Sequence, residues 1–538
     1  MRRNTIAIVA TALSGFVLGA CQDLNVVNEN LPDTERALQQ PSAVEEVIKS
    51  SLPIFYGAAT SNSQDIWGYY PIIANEFART AIVRQFQPSA EPRVALKNDP
   101  LADEVWLPRS PWDRHNSGLA NAIDGLHRII NDGLRIMTLN PGATQVTDNT
   151  DRARIWGKVL EGLHLGYCGL IMDQCPLYTH NDVLPKGYDD LVKWEVEHLR
   201  PYSEVVAGAI GVLEDAIADI DASPAFTLPA NAAPVWVNGY TLTNLQVRQL
   251  ANTIIARLLV YSARTPQERA AVNWQKVIAH TAEGLTYDFG PNLQSNITSS
   301  FYARLQGNGA NDNIRPHYDL IGPADTSGAY QAWVQKPLEQ RNRFDIATPD
   351  RRITGPTPTS AGAYFRYRAD NLGFEESRGT YNFSAYQWYR NGGSSNTGQL
   401  RLLTVDENNL LRAEAFLRTG NLTEAARLIN LSRNRQVRIG TTNYPGLPEV
   451  TAQGVPQSTG CVPRTKTGQC GTLLDALMYE RGIELAGTDP YRGWMDRRGF
   501  GQLVSGTILH MPIPARYLVS MGLPLYTFGG IGQAGAAQ

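Results

Sequence analysis

The sequence predicts a mainly α-helical fold of tetratricopeptide-like helix pairs, overlaid by a long loop-rich and aromatic-rich region. Three observations carry this. Apolar residues recur at helical spacing in several long stretches. Small residues cluster where paired helices must cross. Between the helical groups lies a segment rich in Gly, Pro, Ser, Thr, Asn and aromatics, with little helical period.

The chain opens with Arg2 and Arg3, an apolar run over residues 6–18, and then Leu18, Gly19, Ala20 and Cys21. A positive start, a short apolar run and small residues before a cleavage point form an export signal. A cysteine placed just after them is the bacterial lipoprotein pattern, in which the Cys21 sulfur takes a diacylglycerol before cleavage. Residues 1–20 are thus expected to be removed, leaving 21–538 hanging from a membrane by its first residue. The run is short of the ~20 apolar residues that a membrane span needs. Asn4 and Thr5 do not support twin-arginine export. The Asn- and Asp-rich stretch after Cys21 reads as a tether.

Helical signals begin at Ser42, which caps a helix and forms a capping box with Glu45. Val44, Val47, Ile48 and Leu52 fall on one face of it. Further helices are predicted over 118–130, 152–171 and 204–220. The last repeats Val206, Ala209, Ile210, Leu213, Ala216, Ile217 and Ile220 on one face, with Glu214, Asp215 and Asp219 on the other.

Two antiparallel helix pairs follow, 245–262 with 274–285 and 407–418 with 423–433. In the second, Ala413, Ala415, Ala425 and Ala426 put small residues at the crossing, and Gly420 with Asn421 makes the turn. That is close to the tetratricopeptide pattern. A further helix is predicted over 473–485. The chain thus divides into a helical part, 42–285, a loop-rich insertion, 286–398, and a C-terminal helical part, 399–538. So long a connection is abnormal in a compact domain and is usually functional; short strands packed over the helices are expected in it.

Five cysteines become four once Cys21 is lipidated. An even number in an oxidising compartment reads as disulfides. Of the three connectivities, proximity favours Cys168 with Cys175 and Cys461 with Cys470. Seven residues of continuous helix would hold Cys168 and Cys175 ~10 Å apart, too far for a bridge. The helix must therefore end near 172–174, as Pro176 favours. The cysteines lack the paired Cys-x-x-Cys spacing of a zinc site, and no metal is expected.

Charged residues make up 18% of the chain, below the ~25% of an average domain, and the formal charge is −3. Loss of Arg2 and Arg3 adds two negative units. This gives no electrostatic case for nucleic acid. No second apolar run reaches transmembrane length, so Cys21 is the one expected membrane contact.

Catalytic constellations of weight are missing. There is no Gly-x-Ser-x-Gly elbow, no His-Glu-x-x-His and no phosphate loop. Gly530, Gly532 and Gly535 match a dinucleotide fingerprint but have no helix after them. Glu161 with His164, and Glu195 with His198, repeat Glu-x-x-His as di-iron carboxylate proteins do. The second motif shows no evident helix, and the further glutamates are not evident either. Asp370, Glu375 and Glu376 could supply the two carboxylates of a glycan-cleaving enzyme, the main alternative; a scaffold of helical repeats is another. The expectation is no catalytic residue and no cofactor.

Several segments resemble one family. Cys21-Gln22-Asp23-Leu24-Asn25 resembles its mature start. Leu410-Leu411-Arg412-Ala413-Glu414-Ala415, then Gly420-Asn421, then Ala425-Ala426-Arg427-Leu428-Ile429-Asn430 resemble its helix pair. Glu480-Arg481-Gly482-Ile483-Glu484-Leu485, Tyr491-Arg492-Gly493-Trp494-Met495-Asp496-Arg497-Arg498-Gly499 and Met511-Pro512-Ile513-Pro514 resemble its C-terminal segments. The family is that of the SusD/RagB-like outer-membrane lipoproteins. The resemblance implies tetratricopeptide-like pairs with a loop-rich ligand face. It implies a non-catalytic protein anchored to the outer membrane and facing outward. Its implied role is to capture a nutrient, an oligosaccharide or in some members a peptide, for a TonB-dependent outer-membrane barrel transporter.

Sugars offer flat apolar faces to aromatic rings and hydroxyl edges to polar side chains. Tyr381, Phe383, Tyr386, Trp388 and Tyr389, interleaved with Asn382, Gln387 and Arg390, offer both. Trp333, Tyr386, Trp388 and Tyr389 are therefore the candidate ligand contacts, and Trp67, Tyr69 and Tyr70 form a second cluster. Glu480, Arg481, Glu484, Arg492 and Asp496 are expected to lock a local charge network rather than touch ligand.

Overall fold

A computed structural model of the chain describes residues 148–185, 188–230, 236–237, 239–293, 314–337, 340–368, 384–388, 398–399, 401–489, 491–503, 509–510 and 515–527. It also describes 45, 48–49, 52, 81–83 and 530–531. The elements, in chain order, are β1 (Ala81–Val83), α1 (Asp148–Ile171), β2 (Gln174–Pro176), α2 (Tyr188–Glu197), β3 (Leu199–Pro201), α3 (Tyr202–Ala222), β4 (Thr227–Leu228) and β5 (Leu242–Thr243). Then come α4 (Asn244–Tyr261), α5 (Pro266–Ala270), α6 (Trp274–Ala282), β6 (Asn292–Leu293), β7 (Ile314–Pro316), α7 (Tyr318–Ile321) and α8 (Ala329–Gln335). After β8 (Phe365–Tyr367), β9 (Tyr386–Trp388) and β10 (Gly398–Gln399) the chain returns to helices: α9 (Val405–Arg418) and α10 (Leu422–Arg433). The hairpin β11 (Val437–Ile439) and β12 (Thr442–Tyr444) precedes α11 (Leu473–Glu484), α12 (Arg492–Gly499), α13 (Ala515–Ser520), β13 (Tyr526–Thr527) and β14 (Gly530–Ile531).

The fold is mainly helical, as the apolar period predicts. Helix α1 packs along α3, α3 along α4, α4 along α6, and α6 along α9, which pairs with α10 and meets α11. Glycines let α1 approach its neighbours. A Cβ at Gly162 would lie 2.5 Å from Leu213 of α3, and one at Gly166 would lie 2.6 Å from Leu258 of α4. On α3, Val205, Ala209, Leu213 and Ala216 are completely buried. Burying one such aliphatic side chain contributes ~1.5–3 kcal/mol, so helix-to-helix packing carries this layer. From the first predicted helix, Glu45, Ile48, Lys49 and Leu52 are helical, with Ile48 and Leu52 buried. Glu45 accepts from Arg152 Nε of α1 at 2.6 Å. The predicted helix 118–130 lies outside the described residues.

Helix starts follow capping chemistry. Thr243 and Gln246 form a capping box on α4, as do Thr472 and Asp475 on α11. Thr404 accepts from Glu407 N at 3.0 Å, and Asn421 accepts from Glu424 N at 3.2 Å. The α9–α10 turn passes through Gly420 at φ 86°, a backbone region that side chains disfavour. Ala413, Ala425 and Ala426 are buried together at that crossing, while Ala415 is buried in the main core with Leu411. Helix α1 stops at Ile171 and β2 begins at Gln174, and the break brings the Cα atoms of Cys168 and Cys175 to 6.3 Å, bridged by a disulfide. A second disulfide joins Cys461 and Cys470.

The strands form two-stranded antiparallel sheets, several joining distant segments. β8 pairs with β9 and β1 with β7. The loop-rich region thus contains strands, but also α7 and α8, which the sequence period does not reveal because both are short. No helix among the described residues is long and apolar enough to cross a membrane.

Candidate ligand-binding cleft

Three of the four aromatic candidates are core residues. Trp333 is 3% exposed, Tyr386 0% and Trp388 3%. The Trp333 ring lies 5.1 Å from that of Tyr318 and 6.1 Å from that of Phe344, under the Arg341 guanidinium. The Tyr386 hydroxyl donates to Pro358 O at 3.0 Å and accepts from Ile346 N at 2.8 Å. Trp388 meets the Phe365 ring edge-on at 4.9 Å. All three residues of β9 are buried, so no alternating exposed face exists there. Faces already covered by protein offer no stacking platform to a sugar, and these rings instead pack the insertion onto the helices. Tyr389, Cys21, the Trp67 cluster, Asp370, Glu375 and Glu376 lie outside the described residues.

The doubled Glu-x-x-His takes a structural role. The helix α2 that ends at Glu197 does form, contrary to its weak sequence signal; Asp189 and Asp190 in its first turn favour it. Glu161 accepts from His180 N and faces His180 Nδ1, each at 2.7 Å. His198 stacks on Trp194 at 3.6 Å between centroids. No group of three or more metal-ligating side chains occurs among the described residues.

The described residues enclose a cleft of about 520 Å³, which the sequence reading missed. Its walls come from α7 and α8, from the loop closed by Cys461 and Cys470, and from α11 and α12. Arg464 N donates to Pro323 O at 2.7 Å and Gln331 Nε2 donates to Thr465 O at 3.0 Å, which seats the disulfide loop on α8. Opposite, Tyr330 donates to Asp319 Oδ1 at 2.9 Å and Arg497 Nη2 to the Asp319 carbonyl at 3.1 Å. Phe500 and Met478 add half-buried apolar surface, and Gln502 is exposed at the mouth.

Four cationic side chains line this space: Arg464, Lys466, Arg492 and Arg497. Burial pulls the Arg497 guanidinium below its usual range, with Asp319 opposing. The three lining carboxylates are already engaged. Asp475 caps α11, accepting from Thr472 N at 2.8 Å and from its hydroxyl at 2.7 Å. Asp496 accepts from Arg269 at 2.9 Å and from Arg481 at 3.0 Å. Asp319 holds Tyr330, with Lys466 Nζ at 3.9 Å. The cleft therefore presents donors and positive charge.

The expected charge network forms, with two differences. Its partners are distant in sequence rather than local: Arg481 reaches Glu414 on α9, and Glu480 and Glu484 reach Arg352 in the insertion. Moreover, Asp496 lines the cleft as well as joining the network, and Arg492 lines it at 3.8 Å from Asp496 Oδ2. One sequence feature does point to the cleft: Arg464 and Lys466 are basic residues inside a loop closed by a short cysteine pair.

No protein-family model matches the chain, and no curated protein matches it. Solved structures do. A SusD superfamily protein from Bacteroides vulgatus superposes with a TM-score of 0.53 at 13% identity, over 90% of this chain and 97% of that one. A SusD-like carbohydrate-binding protein from Bacteroides fragilis gives 0.50 at 13% identity, over 91% and 89%. Surface glycan-binding protein A from Bacteroides thetaiotaomicron, solved in complex with laminarihexaose, gives 0.53 at 12% identity, over 89% and 98%. The helix pairs, their order along the chain and these superpositions together identify the fold as that of the SusD superfamily.

Proposed function

We propose that this protein is a non-catalytic, lipid-anchored glycan-binding protein of the outer membrane, which delivers its ligand to a TonB-dependent barrel transporter. The observation that carries the proposal is the likeness of the fold, along nearly the whole of both chains, to a surface glycan-binding protein that holds laminarihexaose. The Leu18-Gly19-Ala20-Cys21 segment supports the anchor. Binding without turnover agrees with the chemistry of the cleft: its carboxylates are tied to caps and guanidinium groups, and its free capacity is for hydrogen bonding. A ligand held by many donors and a few apolar faces dissociates intact, as uptake requires.

Two experiments test this. Mild-detergent pull-down of the tagged protein from its own outer membrane, read by mass spectrometry, is expected to recover a large barrel protein in near-equal amount. Recovery of the protein alone would count against delivery. Incubation with oligosaccharides is expected to show saturable binding and no new reducing ends; release of reducing ends would replace the binding role with an enzymatic one.

A further inference from the structure

We propose that the cleft between the disulfide loop and α12 binds the carboxylate of an acidic oligosaccharide, one built from uronic acid units. The inference rests on the glycan-binding reading and narrows it to a ligand class.

Charge within the cleft carries the argument. Its carboxylates are spent on the protein itself. Asp496 and its neighbour Glu414 are both held by Arg269 and Arg481, and Arg418 approaches Glu414 at 3.4 Å. Asp496 is thus neutralised before Arg492 is counted. Arg492 stands 3.8 Å from Asp496 Oδ2, beyond hydrogen-bond distance. Its side chain is 5% exposed, and its Nε has no hydrogen-bond partner among the described residues. The nearby Asp489 accepts from Arg257 Nη1 at 2.8 Å, and Arg257 also forks onto Glu407. Burial pushes the Asp489 carboxyl up to about 7 against the pull of Arg492, so Asp489 is a weak counter-charge for Arg492. A buried guanidinium with an unmade hydrogen bond is costly, and a carboxylate offered to it satisfies charge and geometry together.

The other cations fit the same ligand. Arg464 Nε is also buried without a hydrogen-bond partner, and Lys466 has 57% of its side chain exposed at the rim. Lys466 can meet the ligand as it enters, while Arg492 waits deeper. A neutral sugar would leave Arg492 as it is. A short peptide carries carboxylates too, but the likeness of the fold to a structure solved with laminarihexaose favours the sugar.

The test is isothermal titration of the full chain with a galacturonate hexamer, with neutral laminarihexaose and with hexaglutamate. The galacturonate hexamer is expected to bind roughly tenfold or more tighter than the neutral sugar, the worth of one charge-assisted hydrogen bond. Its affinity is expected to fall as salt is raised. K466Q, an exposed change, is expected to weaken galacturonate several-fold and to weaken neutral sugar by less. R492Q is expected to weaken it further, provided its melting curve shows a folded protein. Equal binding of neutral and acidic hexamers, unaffected by K466Q, would overturn the inference and leave the glycan-binding reading standing. Preference for hexaglutamate would overturn it in favour of a peptide ligand. Failure of every saccharide would overturn both.

Discussion

Arg269 of α5 forks onto Glu414 of α9, with Nε to Oε1 at 2.9 Å and Nη2 to Oε2 at 2.6 Å, across 145 residues of chain. Both side chains are completely buried. Arg481 of α11 reaches the same carboxylate at 2.6 Å, so one glutamate ties three helices together. The bidentate geometry and shared acceptor return much of the cost of taking these charges out of water.

Breaking this junction should be severe. Glu414→Gln leaves Arg269 and Arg481 facing each other with one charge fewer. A loss of about 3–5 kcal/mol is expected, since removing one partner strands a buried charge. Urea denaturation followed by far-ultraviolet circular dichroism measures it. A loss below about 1 kcal/mol would mean that the junction is not held by charge.

The same carboxylate sets a pH dependence. Burial pushes the Glu414 carboxyl up, but Arg269 and Arg481 outweigh it and hold it at about 2, below its ordinary value of 4.5. Folding thus favours the ionised form. Its contribution is complete above 4.5 and is lost as the pH falls toward about 2. Thermal melts from neutral pH into acid should show the melting temperature falling through that window. Glu414→Gln should fall less steeply there.

The glycines of the helix layer separate close approach from open surface. Gly166→Leu puts a Cβ 2.6 Å from Leu258 Cδ2 and should cost about 1–3 kcal/mol through overpacking. On α3, nothing lies within 4 Å of a Cβ at Gly211. There Gly211→Ala should stabilise by about 0.5–1 kcal/mol through helix propensity and backbone entropy. Opposite signs in one denaturation series would establish that α1 sits where the packing requires.

Removing the Cys461–Cys470 bridge should act on binding as well as on folding. The loop it closes carries Pro463, Arg464, Thr465 and Lys466 into the cleft. The C461A/C470A pair should lower stability by about 2–4 kcal/mol. Ligand affinity should fall beyond that, because Arg464 and Lys466 must be ordered at the moment of binding. Unchanged affinity in the folded double variant would separate the loop from the site.

Much of the helical framework was legible. The apolar period placed α3, α4, α9, α10 and α11 within a few residues, because a helix face is written in spacings of three and four. The end of α1 was legible from Pro176 and from the reach of a Cys168–Cys175 bridge. Helix α2 was less so, since ten residues give the period little room. Among the described residues, the candidate site was poorly legible. Trp333, Tyr386 and Trp388 looked like ligand contacts, and their surroundings make them core.

Local chemistry therefore wrote the helix spans, their caps and the short cysteine pairings, since each depends on residues a few positions apart. Whether an aromatic ring faces solvent or another ring depends on what arrives from elsewhere in the chain. Trp333 is covered by Tyr318 and Phe344, and Trp388 by Phe365. The cleft has the same origin: Asp319, Lys466 and Arg492 converge only because buried ion pairs draw α5, α9, α11 and the insertion together. Those pairings join side chains more than sixty residues apart, and no spacing rule in a single sequence encodes them.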